Sequence, residues 1–99
     1  MFIQIQIHMT ITIQVDIMIR SDKVTEFLDI MDDDKKTALQ TKCISSFDII
    51  RDDNEPNKFI LLQTVTSKTD LLQHMKQSHY RWKEFMKTGA VLAYKHTYL

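Results

Sequence analysis

Apolar and polar residues alternate along the first twenty positions of the chain. One side carries only apolar residues: Ile3, Ile5, Ile7, Met9, Ile11, Ile13, Val15, Ile17 and Ile19. The other side is mostly polar: Gln4, Gln6, His8, Thr10, Thr12, Gln14, Asp16, Met18 and Arg20. A period of two predicts a β-strand with one buried face. Strands usually span roughly 3–10 residues, so we interpret residues 1–8 as an N-terminal strand extension of a domain covering residues 9–99.

Helical spacing follows this strand. Ser21 and Asp22 can cap a helix start. Apolar residues then recur at steps of three and four: Val24, Phe27, Leu28, Ile30, Met31, Ala38 and Leu39. Asp32, Asp33 and Asp34 lie inside this helix, where consecutive side chains diverge by about 100°. We therefore expect a solvated helix face at these carboxylates rather than a cation site.

Residues 44–51 and 58–65 predict two strands joined by the turn formers of residues 52–57, which together indicate a hairpin. One face of the second strand carries Phe59, Leu61, Gln63 and Val65, and the other carries Ile60, Leu62 and Thr64. Both faces are largely apolar, so we expect this strand to be covered on both sides. Gln63 would then be a polar group among buried neighbours and would need a hydrogen-bond partner.

The segment from Ser67 to Phe85 combines a helix-capping signal with an apolar stripe. Ser67 and Asp70 match the S-x-x-D pattern of a helix start. The stripe consists of Leu72, Met75, His79, Trp82 and Met86, flanked by Leu71, Ser78 and Phe85. His74 lies beside it, five residues from His79, which is about 140° of helical rotation. The two histidines can face one pocket only if the helix breaks near Gln77.

Gly89 fits a helix C-cap, and residues 90–99 predict a fourth strand with Leu92, Tyr94, His96 and Tyr98 on one side. We interpret His96 and His8 as surface strand residues. The order β-α-β-β-α-β predicts an α+β, ferredoxin-like sandwich with an antiparallel sheet. Helices cover only one face of such a sheet, and a second copy of the chain is the simplest cover for the other.

Composition excludes several function classes. The chain has 99 residues, 13 basic and 13 acidic, with no net charge, which argues against a nucleic-acid partner. The single cysteine, Cys43, excludes an internal disulfide and fits a reducing compartment. The four histidines show no metal-ligand spacing. No signal-peptide or membrane-spanning pattern is evident, so we expect a cytoplasmic protein without a membrane partner.

In order and spacing, these elements resemble the antibiotic biosynthesis monooxygenase (ABM) domain family. The resemblance covers roughly residues 9–99 and rests on Ile11–Ile19, Asp22–Leu28, Ser46–Asp52, Pro56–Leu61 and His74–Tyr80. Its most specific part is the His-x4-His-Tyr segment that follows a strand and a capped turn. The family includes quinol monooxygenases and the isomerase that processes autoinducer-2 in the Lsr system.

The resemblance implies a homodimer that joins through its sheets into a dimeric α/β barrel, with a pocket between sheet and helices in each subunit. It also implies oxygen chemistry without metal, flavin or haem. His74 and His79 match the family's helix histidines, and Phe47 matches an aromatic residue on the second strand. Two positions depart from the family pattern: Gln63 stands where a glutamate is usual, and residues 41–43 replace a Glu-Pro-Gly turn.

A cofactor-free oxygenase needs a base to remove a proton from the substrate and fixed donors to stabilise the resulting anion. Histidine, with an ordinary pKa of about 6.5, suits the first task, so His74 and His79 are the candidate catalytic residues. A Gln can only donate or accept hydrogen bonds. The candidate substrate-binding residues for a small apolar or aromatic ligand are Phe47, Gln63, Ser78, Tyr80, Trp82 and Phe85.

Other interpretations remain open. Histidines and aromatic stripes on apolar faces are more often packed core than active sites. Gln63 in place of glutamate favours a non-catalytic dimeric module that binds a small ligand, and the family also allows an isomerase of a small phosphorylated signal molecule. A haem-degrading enzyme of the same fold is a further option. The haem-degrading relatives, however, have a Trp where His74 stands and a His where Glu84 stands. Residues 1–8 could alternatively mediate higher assembly.

Overall fold

A computed structural model of the protein describes residues 10–40, 44–66 and 80–99. The described residues form β1 (Ile11–Ile19), α1 (Val24–Gln40), β2 (Ile44–Arg51), β3 (Lys58–Val65), α2 (Tyr80–Lys87) and β4 (Val91–Tyr98). The predicted bounds of β2 and β3 are confirmed at both ends. The extension at residues 1–8 and the predicted helix start at Ser67 lie outside the described residues.

The four strands form one antiparallel sheet in the order β2-β3-β1-β4. Paired residues of antiparallel strands place their side chains on the same face. We call the face that carries Ile13, Val15, Ile17 and Ile19 the inward face, because these four side chains are buried while the residues between them are half-exposed. The alternation read from the sequence of β1 is therefore confirmed.

Both helices lie on the inward face. The ring of Phe27 on α1 is fully buried and contacts Phe59 of β3 and Phe85 of α2. A fully buried side chain of this size contributes about 1.5–3 kcal/mol relative to an exposed one. The predicted ferredoxin-like α+β fold is confirmed. Neither described helix is long and apolar enough to span a membrane.

The start of α1 differs from the sequence prediction. Ser21–Lys23 form a short 3-10 turn ahead of the α-helix, and no side chain caps that turn. Asp22 instead accepts a hydrogen bond from Nε of Arg20 at 2.6 Å. The predicted cap was wrong because the arginine guanidinium occupies the carboxylate that would have served the helix amides.

The hairpin between β2 and β3 is closed by Asp52. Its Oδ1 accepts backbone hydrogen bonds from Asn54 at 2.8 Å and Glu55 at 2.9 Å, the usual way that an aspartate orders a turn. These bonds, that from Glu55 foremost, lower the pKa of the Asp52 carboxyl. The predicted turn at residues 52–57 is confirmed.

Gly89 ends α2 as predicted. Its φ of 76° lies in the left-handed region, and its amide donates to the carbonyl of Met86 at 3.2 Å. The chain then enters β4, whose pairing with β1 contains a bulge: Met18 pairs with Ala93 and Ile19 with Val91, so Leu92 is an extra residue. After the bulge, regular alternation resumes to the end of the strand.

The opposite, outward face of the sheet is half-open. Ile60, Leu62 and Thr64 of β3 are half-exposed there, and Ile50 of β2, which pairs with Ile60, is 45% exposed. Among the described residues, the expectation that β3 is covered on both sides therefore holds for its inward face alone. The outward face is therefore less covered than the inward face among the described residues.

Candidate functional site

The predicted site residues divide into two groups. His74, Ser78 and His79 lie outside the described residues, as does the side chain of Tyr80, the first residue of α2. Phe47, Gln63, Trp82 and Phe85 are described. The structure thus places four of the eight candidates, and the roles of all eight stay predictions.

Gln63 is a polar side chain on the inward face. It pairs with Phe47 on β2 and with Ile13 on β1, both buried, and is itself half-buried. Phe59, Leu61 and Val65, the other inward residues of β3, are all buried. A primary amide offers two donor hydrogens and an acceptor oxygen. This arrangement places a hydrogen-bonding group among buried apolar neighbours on β1, β2 and β3, close to where β3 ends and the chain enters residues 67–79.

The aromatic candidates pack with the core. The ring of Trp82 stacks on Phe85 with centroids 5.8 Å apart, and both rings lie near Phe27, at 6.1 and 6.2 Å. Phe85 and Phe47 are buried, whereas Trp82 is half-buried at the edge of the cluster. Trp82 is therefore the described aromatic candidate that retains a surface for a ligand.

The apolar stripe predicted for the second helix is displaced in the structure. Met86, which the spacing placed on the stripe, is 41% exposed, and the flanking residue Phe85 is the buried one. The reason is the contact of Phe85 with Phe27, which turns the Phe85 side of the helix toward the sheet. The prediction for Met86 was wrong, whereas Trp82, also predicted on the stripe, packs against the core. Leu72, Met75 and His79 lie outside the described residues.

Arg81 joins the two helices. Its guanidinium donates to Asp29 of α1 at 2.9 Å and also to Asp33, one helical turn further along. The hydrogen bond to Asp29, foremost, raises the pKa of Arg81. This fork fixes the first turn of α2, the turn that follows His79 in the chain, against α1.

Carboxylates of the acidic run at residues 32–34 of α1 also form ion pairs. Asp33 binds Arg81, and Asp32 pairs with Lys36 at 3.1 Å. Both carboxylates are exposed, which confirms the solvated helix face predicted for them. Within the described residues no group of three or more His, Cys, Asp or Glu side chains converges.

A shallow cleft of about 270 Å³ opens between the helices. It is lined by Glu26, Ile30, Arg81, Glu84, Phe85 and Thr88. Its wall carries both signs of charge, and its one arginine is already paired with α1. Of the described candidate residues it includes Phe85, but not Phe47, Gln63 or Trp82.

Sequence reasoning did not identify one group of inward-facing residues as candidates for a site. Tyr94, His96 and Tyr98 of β4 pair with Ile17, Val15 and Ile13 and therefore lie on the inward face. Their rings form a continuous row, although His96 is indeed exposed, as predicted. The sequence signal was the spacing of two between three aromatic rings, which we read as a surface strand.

Comparison with known proteins places this geometry in a fold family. A scan of known protein families finds no matching model, and no curated protein sequence matches. Among solved structures, a candidate antibiotic biosynthesis monooxygenase from Nitrosomonas europaea superposes with a TM-score of 0.81 at 16% identity, over 100% of this chain and 93% of that one. The chain has the ABM fold. The resemblance read from the sequence is thereby confirmed at the level of the fold.

Other solved structures superpose similarly well. A candidate antibiotic biosynthesis monooxygenase from Deinococcus radiodurans gives a TM-score of 0.78 at 9% identity, over 90% of this chain and 89% of that chain. A conserved protein from Methanosarcina mazei gives 0.80 at 13% identity, over 93% and 92%. Two of these names carry a reaction class and the third carries none. At such identities the likeness shows the ABM fold, and function has to be argued from the site.

Proposed function

We propose that this ABM-fold protein is a cofactor-independent monooxygenase that acts on a small aromatic or quinol-type substrate. The observation that supports a small-ligand site most is Gln63, a half-buried amide on the inward face, flanked by the buried Phe47 and Ile13. Sites for small apolar ligands combine apolar walls with a few placed polar groups. The segment that carries His74 and His79 follows β3 directly in the chain.

Each candidate residue has a defined task in this proposal. His74 or His79 removes a proton from a phenol or carbon acid, because a neutral imidazole is a competent base near neutral pH. The Gln63 amide and the Ser78 hydroxyl donate to the substrate oxygen and stabilise the anion while it reacts with molecular oxygen. Trp82 packs against one side of the ring.

Oxygen consumption tests the reaction. Purified protein without added metal or flavin is mixed with a panel of quinols and anthrones, beside His74→Ala and His79→Ala. Loss of an acid–base group lowers turnover by roughly 10²–10⁴-fold, so one of the two variants should lose at least a hundredfold. Lys83→Ala, an exposed position on α2, is the matched control and should keep full activity.

A folded wild-type protein that consumes no oxygen with any substrate would contradict the monooxygenase proposal. Equal turnover in all variants would remove the histidines from the mechanism. An isomerase acting on a phosphorylated small molecule would also give no oxygen consumption, and a phosphorylated ketose added to the panel and followed by NMR would detect it.

The second candidate function is a non-catalytic module that binds a small ligand. Gln63 favours it, because a primary amide does not ionise near neutral pH and cannot replace the family's glutamate as a base. Ligand binding measured by titration, together with absent turnover, would establish this function. Gln63→Glu separates the two candidates further: a gain of turnover in this variant would show that the remaining machinery is catalytic.

We also propose a homodimer formed through the outward face. The paired side chains of Ile50 and Ile60, with Leu62 next to them on β3, form an apolar surface that the described chain leaves half-open. Ile60 also pairs with Asp16 of β1, so Ile60→Lys has a carboxylate beside it within the subunit. A charge at the centre of an apolar interface opposes association.

Light scattering tests this assembly. The wild type should have twice the chain mass of 11.8 kDa, and Ile60→Lys should have the mass of one chain. Leu39→Lys, at an exposed position of α1, is the control and should leave the dimer intact. A wild-type mass of one chain at all concentrations would disprove the dimer.

A further inference from the structure

The inward face of β4 carries an exposed aromatic row. Tyr94, His96 and Tyr98 stand opposite the buried β1 residues Ile17, Val15 and Ile13. Tyr94 is nevertheless 46% exposed and Tyr98 60% exposed. Among the described strands β4 lies at the edge of the sheet and pairs with β1 alone, so no described strand borders its other side. The row is an accessible border of the face that bears the candidate site.

The three rings form a continuous surface. Tyr94 meets His96 edge to face with centroids 5.5 Å apart, and His96 stacks with Tyr98 at 5.8 Å and an angle of 25°. Each ring thus fixes its neighbour, because aromatic pairs at these distances attract in tilted or offset arrangements. A surface already ordered in this way loses little conformational entropy when a flat ligand stacks on it.

The row is amphipathic, because each ring carries a polar atom. Burial, and next the neighbouring phenol of Tyr98, raise the pKa of Tyr94, so its hydroxyl remains a neutral donor at physiological pH. Lys95 points to the outward face, since it pairs with Asp16. The row therefore offers flat apolar rings together with two hydroxyls and an imidazole, which are partners for a ligand oxygen.

Gln63 lies in the same cross-strand row as Tyr98. Both flank Ile13, Gln63 from β3 and Tyr98 from β4. Neighbouring strands are about 4.8 Å apart, so the two positions are separated by roughly 10 Å. Gln63 therefore lies near the border formed by the row, with the buried Ile13 between Gln63 and Tyr98.

We propose that Tyr94, His96 and Tyr98 form a stacking surface that binds a flat aromatic ligand bearing a hydroxyl or carbonyl oxygen. The role of this surface in binding the substrate of the reaction rests on the proposed function, whereas ligand binding by the row does not depend on it. Half-exposed tyrosines leave roughly 100 Å² each for contact, whereas a stable protein partner needs about 800 Å² per side. The row alone therefore fits a small ring system and is too small for a second copy of the chain.

Anaerobic titration with 2-naphthol tests the proposal, since it requires no turnover. Stacking of a ring on one aromatic side chain is worth about 1–3 kcal/mol, so His96→Ala and Tyr98→Ala should each weaken binding by roughly 5- to 150-fold. Tyr98→Phe keeps the ring and loses only the hydroxyl, so it should weaken binding less than Tyr98→Ala. Lys95→Ala, on the outward face of the same strand, should bind as the wild type does.

Two titration results would overturn the proposal: no binding by the wild type, or equal affinity in all variants. If, in addition, light scattering showed a halved mass for Tyr98→Ala with unchanged affinity, the row would be assigned to an interface between copies. The two proposals can fail separately. Binding that depends on the row without any oxygen consumption refutes the monooxygenase alone. Turnover that is insensitive to His96→Ala and Tyr98→Ala, with equal affinity, refutes the row alone.

Discussion

The ring of Phe27 on α1 lies 4.9 Å from the ring of Phe59 on β3, at an interplanar angle of 51°. Both side chains are fully buried, so this pair joins helix to sheet at the centre of the core. Removing a buried phenylalanine ring costs about 3–5 kcal/mol, through lost burial and the cavity left behind. Phe27→Ala should lower the free energy of unfolding by this amount in urea titrations.

The matched control for this substitution is Leu39→Ala on the same helix. Leu39 is 46% exposed, so its truncation should change the unfolding free energy by less than about 0.5 kcal/mol. A Phe27→Ala variant as stable as Leu39→Ala would mean that the Phe27–Phe59 contact does not hold α1 on the sheet.

Gly89 should be sensitive to substitution for backbone reasons alone. A side chain at this position would meet no atom within 4 Å, but the φ of 76° is unfavourable for residues with a Cβ. Gly89→Ala should therefore cost about 1–2 kcal/mol, and Gly89→Asn should cost less because asparagine tolerates this region. Urea unfolding of the two variants gives the order, and equal losses would contradict a conformational origin.

The contacts of Arg81 with Asp29 and Asp33 should depend on salt. All three side chains are exposed, so the pairs are screened by ions. Arg81→Ala should lower the urea midpoint at low ionic strength, and the difference from wild type should shrink in 1 M NaCl, where the Debye length is about 3 Å. Lys83→Ala is the control for loss of a positive charge from α2 and should show a smaller effect at low salt.

Asp52 should make stability dependent on pH in the acidic range. Its pKa is lowered in the folded state by the backbone donors Glu55 and Asn54, relative to an ordinary value of about 3.9. Because the folded-state pKa is the lower one, the stability that these hydrogen bonds contribute is present above the ordinary pKa. It is lost as the pH falls through the folded-state pKa. The stability difference between wild type and Asp52→Ala should thus be largest near neutral pH and shrink below pH of about 3.9.

The neighbouring substitution Asp53→Ala controls for this pH effect. Asp53 lies in the same turn but is not the residue whose carboxylate accepts the amides of residues 54 and 55. If urea midpoints of the Asp52→Ala and Asp53→Ala variants followed the same pH curve, loss of charge rather than of the turn hydrogen bonds would explain both.

Gln63 should show opposite effects on stability and activity. Leucine is close to Gln in size, and replacing a half-buried polar group by an apolar one among Phe47 and Ile13 is often neutral or stabilising. Gln63→Leu should therefore keep or raise the urea midpoint while lowering kcat/KM for the best quinol. A loss of stability with unchanged kcat/KM would assign Gln63 a structural role only.

The fold was largely predictable because its signals are local. Alternation in β1, turn formers at residues 52–57 and Gly89 each act within a few residues, and each prediction is confirmed. The Ser21–Asp22 cap failed because Arg20 competes for the carboxylate. Met86 was misplaced because the rotation of α2 is set by the contact between Phe85 and Phe27, which are distant in sequence.

The candidate site was less predictable for a similar reason. Period two showed that Tyr94, His96 and Tyr98 share a face, but only the register with β1 shows that this face is the one under the helices. Gln63 was identified from its apolar neighbours along β3, and its cross-strand neighbours Phe47 and Ile13 emerged with the pairing. Register depends on long-range pairing, which residue patterns within one strand do not contain.

The bulge at Leu92 gives β4 a tolerance in length. Val91 and Tyr94 are three residues apart, an odd separation, and yet both pair with inward residues of β1, because Leu92 takes up the extra position. A shortened chain lacking Leu92 would have an unbroken ladder with the same tyrosines and histidine on the inward face. Loss of any single residue between Tyr94 and Tyr98 would instead divide the row between the two faces of the sheet. β4 can therefore change in length only on the N-terminal side of Tyr94, where the bulge lies.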